Sequence, residues 1–175
     1  MGLLRSLLPW DDNTYGNGVK TLRVLIECEK GSVHKYEYVD SLGMMVIVRD
    51  LDKKYAYIYN YGSIPQTLAG DGDSLDAIVV SDEPIRSGTV INCRPLAIVR
   101  MIDNGQQDDK VVCAPFYIEH GDIDMKKILN YLQNYKYPKQ AGTVLKGVDD
   151  AAAAVEEVEK AHRAFMEKKR EVRLG

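Results

Sequence analysis

The chain has 175 residues, 45% of them hydrophobic, so it is long enough to bury a core and is typical of a folded globular protein rather than a disordered one. The 23 Lys and Arg residues against 26 Asp and Glu give a formal net charge of -3, which excludes the strong positive excess of a nucleic-acid or anionic-membrane surface. No segment approaches the roughly 20 apolar residues of a membrane-spanning helix. We therefore expect a single domain over residues 1–175 with no membrane span.

The three cysteines, Cys28, Cys93 and Cys113, are odd in number and widely spaced. This pattern excludes a disulfide framework and a cysteine zinc site, and it favours a reducing compartment such as the cytoplasm.

The first half of the chain reads as a series of short strands. Residues 1–20 are predicted to form a terminal arm, and residues 21–115 mainly barrel strands. Apolar and alternating segments predict strands at 22–28, 34–39, 44–48, 55–61, 77–80, 89–101 and 110–114. Gly, Asn, Asp and Ser at 40–43 and 103–105 predict hairpin turns.

The pattern changes after Pro115, and residues 116–175 are predicted to be mainly helical. One helix is expected at about 125–134, with Asp124 as its cap, and a long one at about 150–170, with Val155, Val158 and Ala161 on its buried face. Strands followed by helices predict an α+β fold, with a small closed sheet and helices packed against it.

Two acidic runs carry most of the chemical information. Asp71, Asp73 and Asp76 lie within six residues at the start of an apolar strand, and a second run occupies 103–109. Clustered carboxylates are hard ligands suited to Mg²⁺, Mn²⁺ or Ca²⁺, although either run alone also fits an ordinary solvated turn. The first run is not an EF-hand, because its sixth and twelfth positions hold Asp76 and Asp82 instead of Gly and Glu.

Basic and hydroxyl side chains lie on the strands near these acids. Alternation places Lys35 and Glu37 on one strand face and Tyr36 and Tyr38 on the other. Further candidates are Arg49 and Lys110 at strand ends, the alternating set Tyr55, Tyr57, Tyr59 and Tyr61, and the pair Tyr135 and Lys136. Acids combined with Lys, Arg and Tyr suit a phosphate compound that arrives with divalent metal ions. Neither a Walker loop nor a G-x-G-x-x-G turn is present, so the phosphate itself is the expected target.

Taken together, these motifs resemble the soluble family I inorganic pyrophosphatases, in order and spacing, from about residue 21 to residue 146. The matching pieces are Glu27, Lys35-Tyr36-Glu37, Arg49, Tyr57, Asn60-Tyr61-Gly62, the loop 71–76, Asp103, Asp108-Asp109-Lys110 and Tyr135-Lys136. The resemblance implies a small, highly twisted five-stranded OB-like barrel with two flanking α-helices.

The resemblance also implies a role for each matching residue. The metal ligands would be Asp71, Asp76, Asp108, Asp103 and Glu37, and the general base Asp73. The phosphate-binding set would be Lys35, Arg49, Tyr61, Lys110, Tyr135 and Lys136, with Glu27, Tyr57 and Lys146 in support. The chain departs from the family pattern at Ser74, where Pro is usual, and a proline would have stiffened the loop.

The implied activity is Mg²⁺-dependent hydrolysis of pyrophosphate to two orthophosphates by direct attack of a metal-bridging water. The implied assembly is a homohexamer. Two alternatives stay open: a catalytically inactive relative that binds metal and phosphate for regulation, and an OB-like barrel that binds nucleic acid. The acidic loops argue against the second alternative, because nucleic acid requires a basic groove.

Overall fold

The computed structural model of the chain describes residues 7–11, 21–119, 122–134 and 142–174. Within them the strands are β1 (Trp10–Asp11), β2 (Thr21–Cys28), β3 (His34–Val39), β4 (Met44–Asp50), β5 (Asn60–Ser63), β6 (Asp76–Val79), β7 (Val90–Asp103), β8 (Gln106–Gln107), β9 (Lys110–Pro115) and β10 (Val144–Asp150). The helices are a 3₁₀ turn (Lys53–Tyr55), α1 (Met125–Asn134) and α2 (Ala151–Leu174).

Five strands close into a barrel. The neighbours run β2, β5, β6, β9 and β7, and β7 pairs with β2 again to complete the ring. All of these pairings are antiparallel except that of β6 with β9. The predicted α+β class and five-stranded barrel are confirmed.

The length of β7 makes this closure possible. Its first residues pair with β2, its middle with β9 and its last residues with β10. A bulge between Pro95 and Ala97, inside the pairing with β9, bends the strand. Pro95 is tolerated there because a bulge does not need every backbone N–H.

Strands β6 and β9 are buried on both faces, which explains their nearly continuous apolar sequences. Alternate residues face two separate core clusters: Ala77, Val79 and Val111 pack in the cluster that includes α2, whereas Ile78 and Val112 pack in the cluster that includes α1. Each helix therefore covers one face of the sheet.

Both helices begin at aspartate caps. The Asp124 carboxylate accepts the Lys127 N–H at 3.0 Å, as predicted, and Asp150 accepts the Ala153 N–H at 3.0 Å. The buried face of α2 is formed by Ala154, Val158 and Ala161. The prediction was wrong for Val155, which is 37% exposed, because the sequence pattern does not fix the rotation of a helix on its sheet to within one residue.

The predicted strand at 55–61 is wrong over most of its length. Asp52 caps the 3₁₀ turn at Lys53–Tyr55, and the Tyr57 backbone bonds with Gly31 and Ser32 in the loop before β3. Only Asn60 and Tyr61 of that segment are in a strand. The tyrosines at 55, 57, 59 and 61 consequently do not share one strand face.

Strand β10 was not predicted, since residues 116–175 were expected to be mainly helical. It pairs with the second half of β7, and most of its residues are exposed. Its side chains bury little, so its sequence lacks the alternation that reveals a half-buried strand.

Strands β3 and β4 form a separate two-stranded sheet, a hairpin closed by the predicted turn at 40–43. The Gly43 N–H bonds the Val39 carbonyl at 2.9 Å, and Gly43 has a φ of 65°, which glycine adopts without strain. The second predicted turn is also present: Asn104 and Gly105 both have positive φ and join β7 to β8, as in a type I′ turn. In the described part of the chain, no helix combines the length and the apolar character needed to cross a membrane.

Candidate functional site

A cleft of about 280 Å³ lies where the β3–β4 hairpin faces the barrel and the acidic loop. Its lining residues are Glu27, Lys35, Glu37, Tyr38, Arg49, Tyr57, Tyr61, Ser63, Asp71, Asp73, Ser74, Asp76 and Asp108. Ten of the residues singled out from the sequence therefore meet in one place, although the outermost two, Glu27 and Asp108, are 81 positions apart in the chain.

The acidic loop is shaped by its own backbone. The Asp73 N–H bonds the Asp71 carboxylate at 3.1 Å, and the Asp73 carbonyl accepts the Ala69 N–H at 2.8 Å. Gly72 has a φ of 94°, a conformation that residues with a side chain rarely adopt. The tight turn leaves Asp73 exposed at the tip of the loop, with Asp71 and Asp76 on either side of it.

The barrel pairing places Lys110 among the acids. Strands β6 and β9 are parallel, and their first residues, Asp76 and Lys110, are partners in the register. The fully buried Lys110 ammonium donates to Asp76 at 2.6 Å and also contacts the Asp108 carboxylate. The Tyr61 hydroxyl donates to the same Asp76 oxygen at 2.6 Å. Lys110 thus lies behind the cleft wall and holds two of its carboxylates.

The hairpin supplies the cations that face these acids. Lys35 and Glu37 lie on one face of β3, as predicted, with the ammonium and carboxylate 2.5 Å apart. Arg49 of β4 is the cross-strand partner of Lys35. A bulge between Lys35 and Tyr36, opposite Val48, shifts the register there, so the face of Arg49 could not be read from β4 by simple alternation.

Glu27 lies on the barrel side of the cleft, where its carboxylate accepts the Ser63 hydroxyl at 3.1 Å and the Tyr38 N–H at 3.3 Å. Burial and the neighbouring charge of Asp76 raise the pKa of Glu27 to about 7. Burial also raises the pKa of Asp71, and the negative charges of Asp108 and Asp76 add to the effect. Burial, and after it the excess of negative charge in this cleft, therefore makes ionisation of Glu27 and Asp71 costly.

Several predicted residues lie elsewhere. Asp103 does not line the cleft; its carboxylate accepts the Thr143 hydroxyl at 2.9 Å. Lys146 is an exposed residue of β10, at a bulge in the pairing with β7, and is also outside the lining. Tyr135 and Lys136 fall outside the described residues.

Sequence reasoning missed Ser63 and Tyr38 as lining residues. Ser63 could have been found, because it lies two residues after Tyr61 on the same strand and so shares its face. Tyr38 was expected on the face opposite to Glu37. It reaches the cleft because its backbone is bonded to Glu27, and two-stranded ribbons twist strongly enough to bring both faces near one site.

Asp109 has a structural role that its neighbours Asp108 and Lys110 do not share. Its carboxylate accepts Arg100 Nη1 at 2.7 Å, the Gln107 amide at 2.8 Å and the Met101 N–H at 3.0 Å. Arg100 also bonds Asp149 and Glu157, joining β7 to β10 and α2. The ion cluster thereby fixes the start of β9, from which Asp108 and Lys110 reach the site.

The donor chemistry of the cleft fits divalent cations, since its carboxylates are hard oxygen ligands. Burial, together with repulsion from Asp108 and Asp76, raises the pKa of Asp71. Across residues 7–11, 21–119, 122–134 and 142–174, no three acidic, His or Cys side chains are already gathered around one point. The Lys110 ammonium partly neutralises Asp76 and Asp108. Asp71, Asp76 and Asp108 line the cleft together and could supply ligands to an ion.

Comparison with known proteins identifies the family. Residues 24–166 match the family described as inorganic pyrophosphatase. The chain belongs to the inorganic pyrophosphatase family. It is 35% identical to the inorganic pyrophosphatase of Synechocystis sp. over 148 residues, which cover 79% of this chain and 88% of that protein.

Solved structures of inorganic pyrophosphatases share the fold. The crystal structure from Thermus thermophilus superposes with a TM-score of 0.81 at 30% identity, covering 93% of this chain and 98% of that one. The structure from Neisseria gonorrhoeae gives a TM-score of 0.82 at 26% identity, with the same coverage of both chains. The cleft described above thus belongs to a pyrophosphatase fold that is matched over almost its whole length.

Proposed function

We propose that this chain hydrolyses inorganic pyrophosphate to two orthophosphates in the cleft between the hairpin and the acidic loop, with Mg²⁺ as the divalent ion. One observation carries the proposal: carboxylates of the barrel and loop line the same cleft, of about 280 Å³, as Lys35 and Arg49 of the hairpin. A phosphoanhydride that arrives with metal ions needs both kinds of group at once.

The carboxylates form the metal-binding side of this proposal. Asp71, Asp76 and Asp108 would hold the ions, with Glu37 reaching them from the hairpin. Asp103 is proposed as a further ligand, on the family resemblance. When bound, divalent ions lower the pKa of water and offset charge on the phosphate oxygens.

Asp73 is proposed as the general base. It is exposed at the tip of the loop and lines the cleft, and its carboxylate can accept the proton of the water that attacks the phosphorus. The backbone bonds of Asp73 to Ala69 and Asp71 hold it in position, so less conformational freedom is lost when substrate binds.

The hairpin cations and the hydroxyls form the phosphate side. Lys35 and Arg49 would grip the phosphate oxygens, and Arg49 can do so with two parallel hydrogen bonds. Tyr57 and Tyr61 line the same cleft. Lys110, Tyr135, Lys136 and Lys146 are proposed to complete this set on the resemblance. The ammonium of Lys110 bonds Asp76 and Asp108, so we propose that it also orients these two carboxylates. These charges stabilise the leaving phosphate as negative charge builds on it.

Phosphate release from pyrophosphate in the presence of Mg²⁺ tests the proposal. Asp73→Asn should lower kcat by roughly a hundredfold or more, because a general base contributes about 10²- to 10⁴-fold. Asp71→Asn should raise the Mg²⁺ concentration for half-maximal rate by at least about tenfold. Asp82→Asn is the matched control, since Asp82 is exposed and does not line the cleft. An inactive wild-type protein, or full rates in both site variants, would overturn the proposal.

On the family resemblance we further propose a homohexamer located in the cytoplasm. Sedimentation equilibrium should then give a mass near six times the 19.7 kDa of the chain. A mass near 19.7 kDa at micromolar concentration would contradict the hexamer.

A further inference from the structure

The strand that carries Lys35 and Glu37 is attached to the barrel in an unusual way. One edge of β3 pairs with the backbone of β4, but β3 and β2 belong to separate sheets. Two N–H groups on the other edge of β3 are bonded by side chains of β2: Tyr36 N–H by the Cys28 sulfur at 3.3 Å, and Tyr38 N–H by the Glu27 carboxylate at 3.3 Å. The position of the hairpin therefore depends on these two side chains.

Cys28 is suited to this contact by its burial. It is 1% exposed, and burial raises the pKa of its thiol, so the sulfur keeps its proton. The S–H group donates to the Tyr36 carbonyl at 3.6 Å while the sulfur accepts the Tyr36 N–H. Tyr57, which lines the cleft, belongs to the same core cluster as Cys28. Cys28 thus bonds the backbone of the hairpin from a core cluster that reaches the cleft.

We propose that Cys28 is a positioning residue of this site, holding β3 at the distance from the barrel at which Lys35 faces the acidic loop. The role rests on the proposed pyrophosphate hydrolysis. Cys28 itself does not line the cleft; it acts through Tyr36, which lies between Lys35 and Glu37 in the strand.

Cys113 provides a matched control. It is also fully buried in the barrel, and its thiol donates to the Ile78 carbonyl at the same distance of 3.6 Å. It lies in β9, in the other core cluster, and bonds no hairpin residue. A core cysteine that only fills space should behave like Cys113 when replaced by valine.

The test compares Cys28→Val, Cys28→Ser and Cys113→Val in the full chain. Loss of the thiol hydrogen bonds in Cys28→Val should raise the KM for pyrophosphate roughly three- to tenfold. The kcat should fall as well, because Lys35 also stabilises the negative charge that builds on the leaving phosphate. Cys28→Ser, which can still donate and accept, should recover most of the KM effect, and Cys113→Val should not change KM.

Amide exchange measured by NMR gives a second readout that needs no catalysis. The Tyr36 amide should exchange faster in Cys28→Val than in the wild type, and at the wild-type rate in Cys113→Val. Equal Tyr36 exchange in all three proteins would overturn the inference, as would a KM in Cys28→Val equal to that in Cys113→Val. If the wild type releases no phosphate, the proposed hydrolysis fails, and the exchange rates still decide whether Cys28 holds the hairpin.

Discussion

Glu27→Gln tests the electrostatics of the cleft without removing a hydrogen bond. The glutamine carbonyl can still accept the Ser63 hydroxyl and the Tyr38 N–H, which the carboxylate now accepts at 3.1 and 3.3 Å. The variant therefore loses only the ability of residue 27 to ionise. Any change in how stability depends on pH therefore comes from the titration of Glu27.

The direction in which stability changes with pH follows from the pKa of Glu27, which rises from its ordinary 4.5 to about 7 on folding because of burial and the charge of Asp76. The unfolded chain then releases this proton at lower pH than the folded chain. Stability that is present below about pH 4.5 is lost as pH rises through about 7. At about 1.4 kcal/mol per pKa unit the whole loss of stability is about 3 kcal/mol, and most of it falls between pH 5 and pH 8.

The assay is urea unfolding of the metal-free protein, with a chelator present, at pH 5, 6, 7 and 8. Between pH 5 and pH 8 the free energy of unfolding of the wild type should fall by about 2 to 3 kcal/mol more than that of Glu27→Gln. Glu156→Gln, on the exposed face of α2, removes one carboxylate away from the cleft and should follow the wild type. Parallel pH curves for the wild type and Glu27→Gln would refute the reasoning.

Three further predictions concern stability. Arg100→Met should lower the free energy of unfolding by about 2 to 3 kcal/mol, because it leaves the Asp109 carboxylate, which is 2% exposed, without its cation. Arg100 is itself 27% exposed, so the loss is smaller than for a fully buried ion pair. An unchanged urea midpoint would contradict this. Gly62→Ala should destabilise the barrel by at least about 3 kcal/mol, since its Cβ would lie 2.0 Å from the Leu25 carbonyl oxygen. A thermal midpoint equal to that of the wild type, measured by circular dichroism, would contradict this. Mg²⁺ at about 100 times its Kd should stabilise the wild type by about 2.7 kcal/mol in urea, and Asp71→Asn should lose most of that gain while Glu156→Gln keeps it.

Local patterns were enough to predict much of this fold. Strand 34–39 and helix 125–134 were predicted with the bounds that the structure gives, because alternation, turn residues and the Asp124 cap are all encoded within a few neighbouring positions. The segment 55–61 was misread for a related reason: alternating tyrosines imitate a strand, while the competing 3₁₀ turn depends on the Asp52 cap and on bonds to the loop at 31–32.

In the candidate site, too, residue identities were predicted from the sequence, whereas contacts between distant segments were not. The amino-acid sequence by itself named the acids of the loop, the hairpin cations and the family they resemble, because these residue types and spacings are properties of the chain. Only the tertiary structure decided that Lys110 lies between Asp76 and Asp108, that Asp109 binds Arg100, and that Cys28 holds the hairpin. Those contacts depend on strand register and barrel closure, in which one residue's shift turns a side chain to the opposite face.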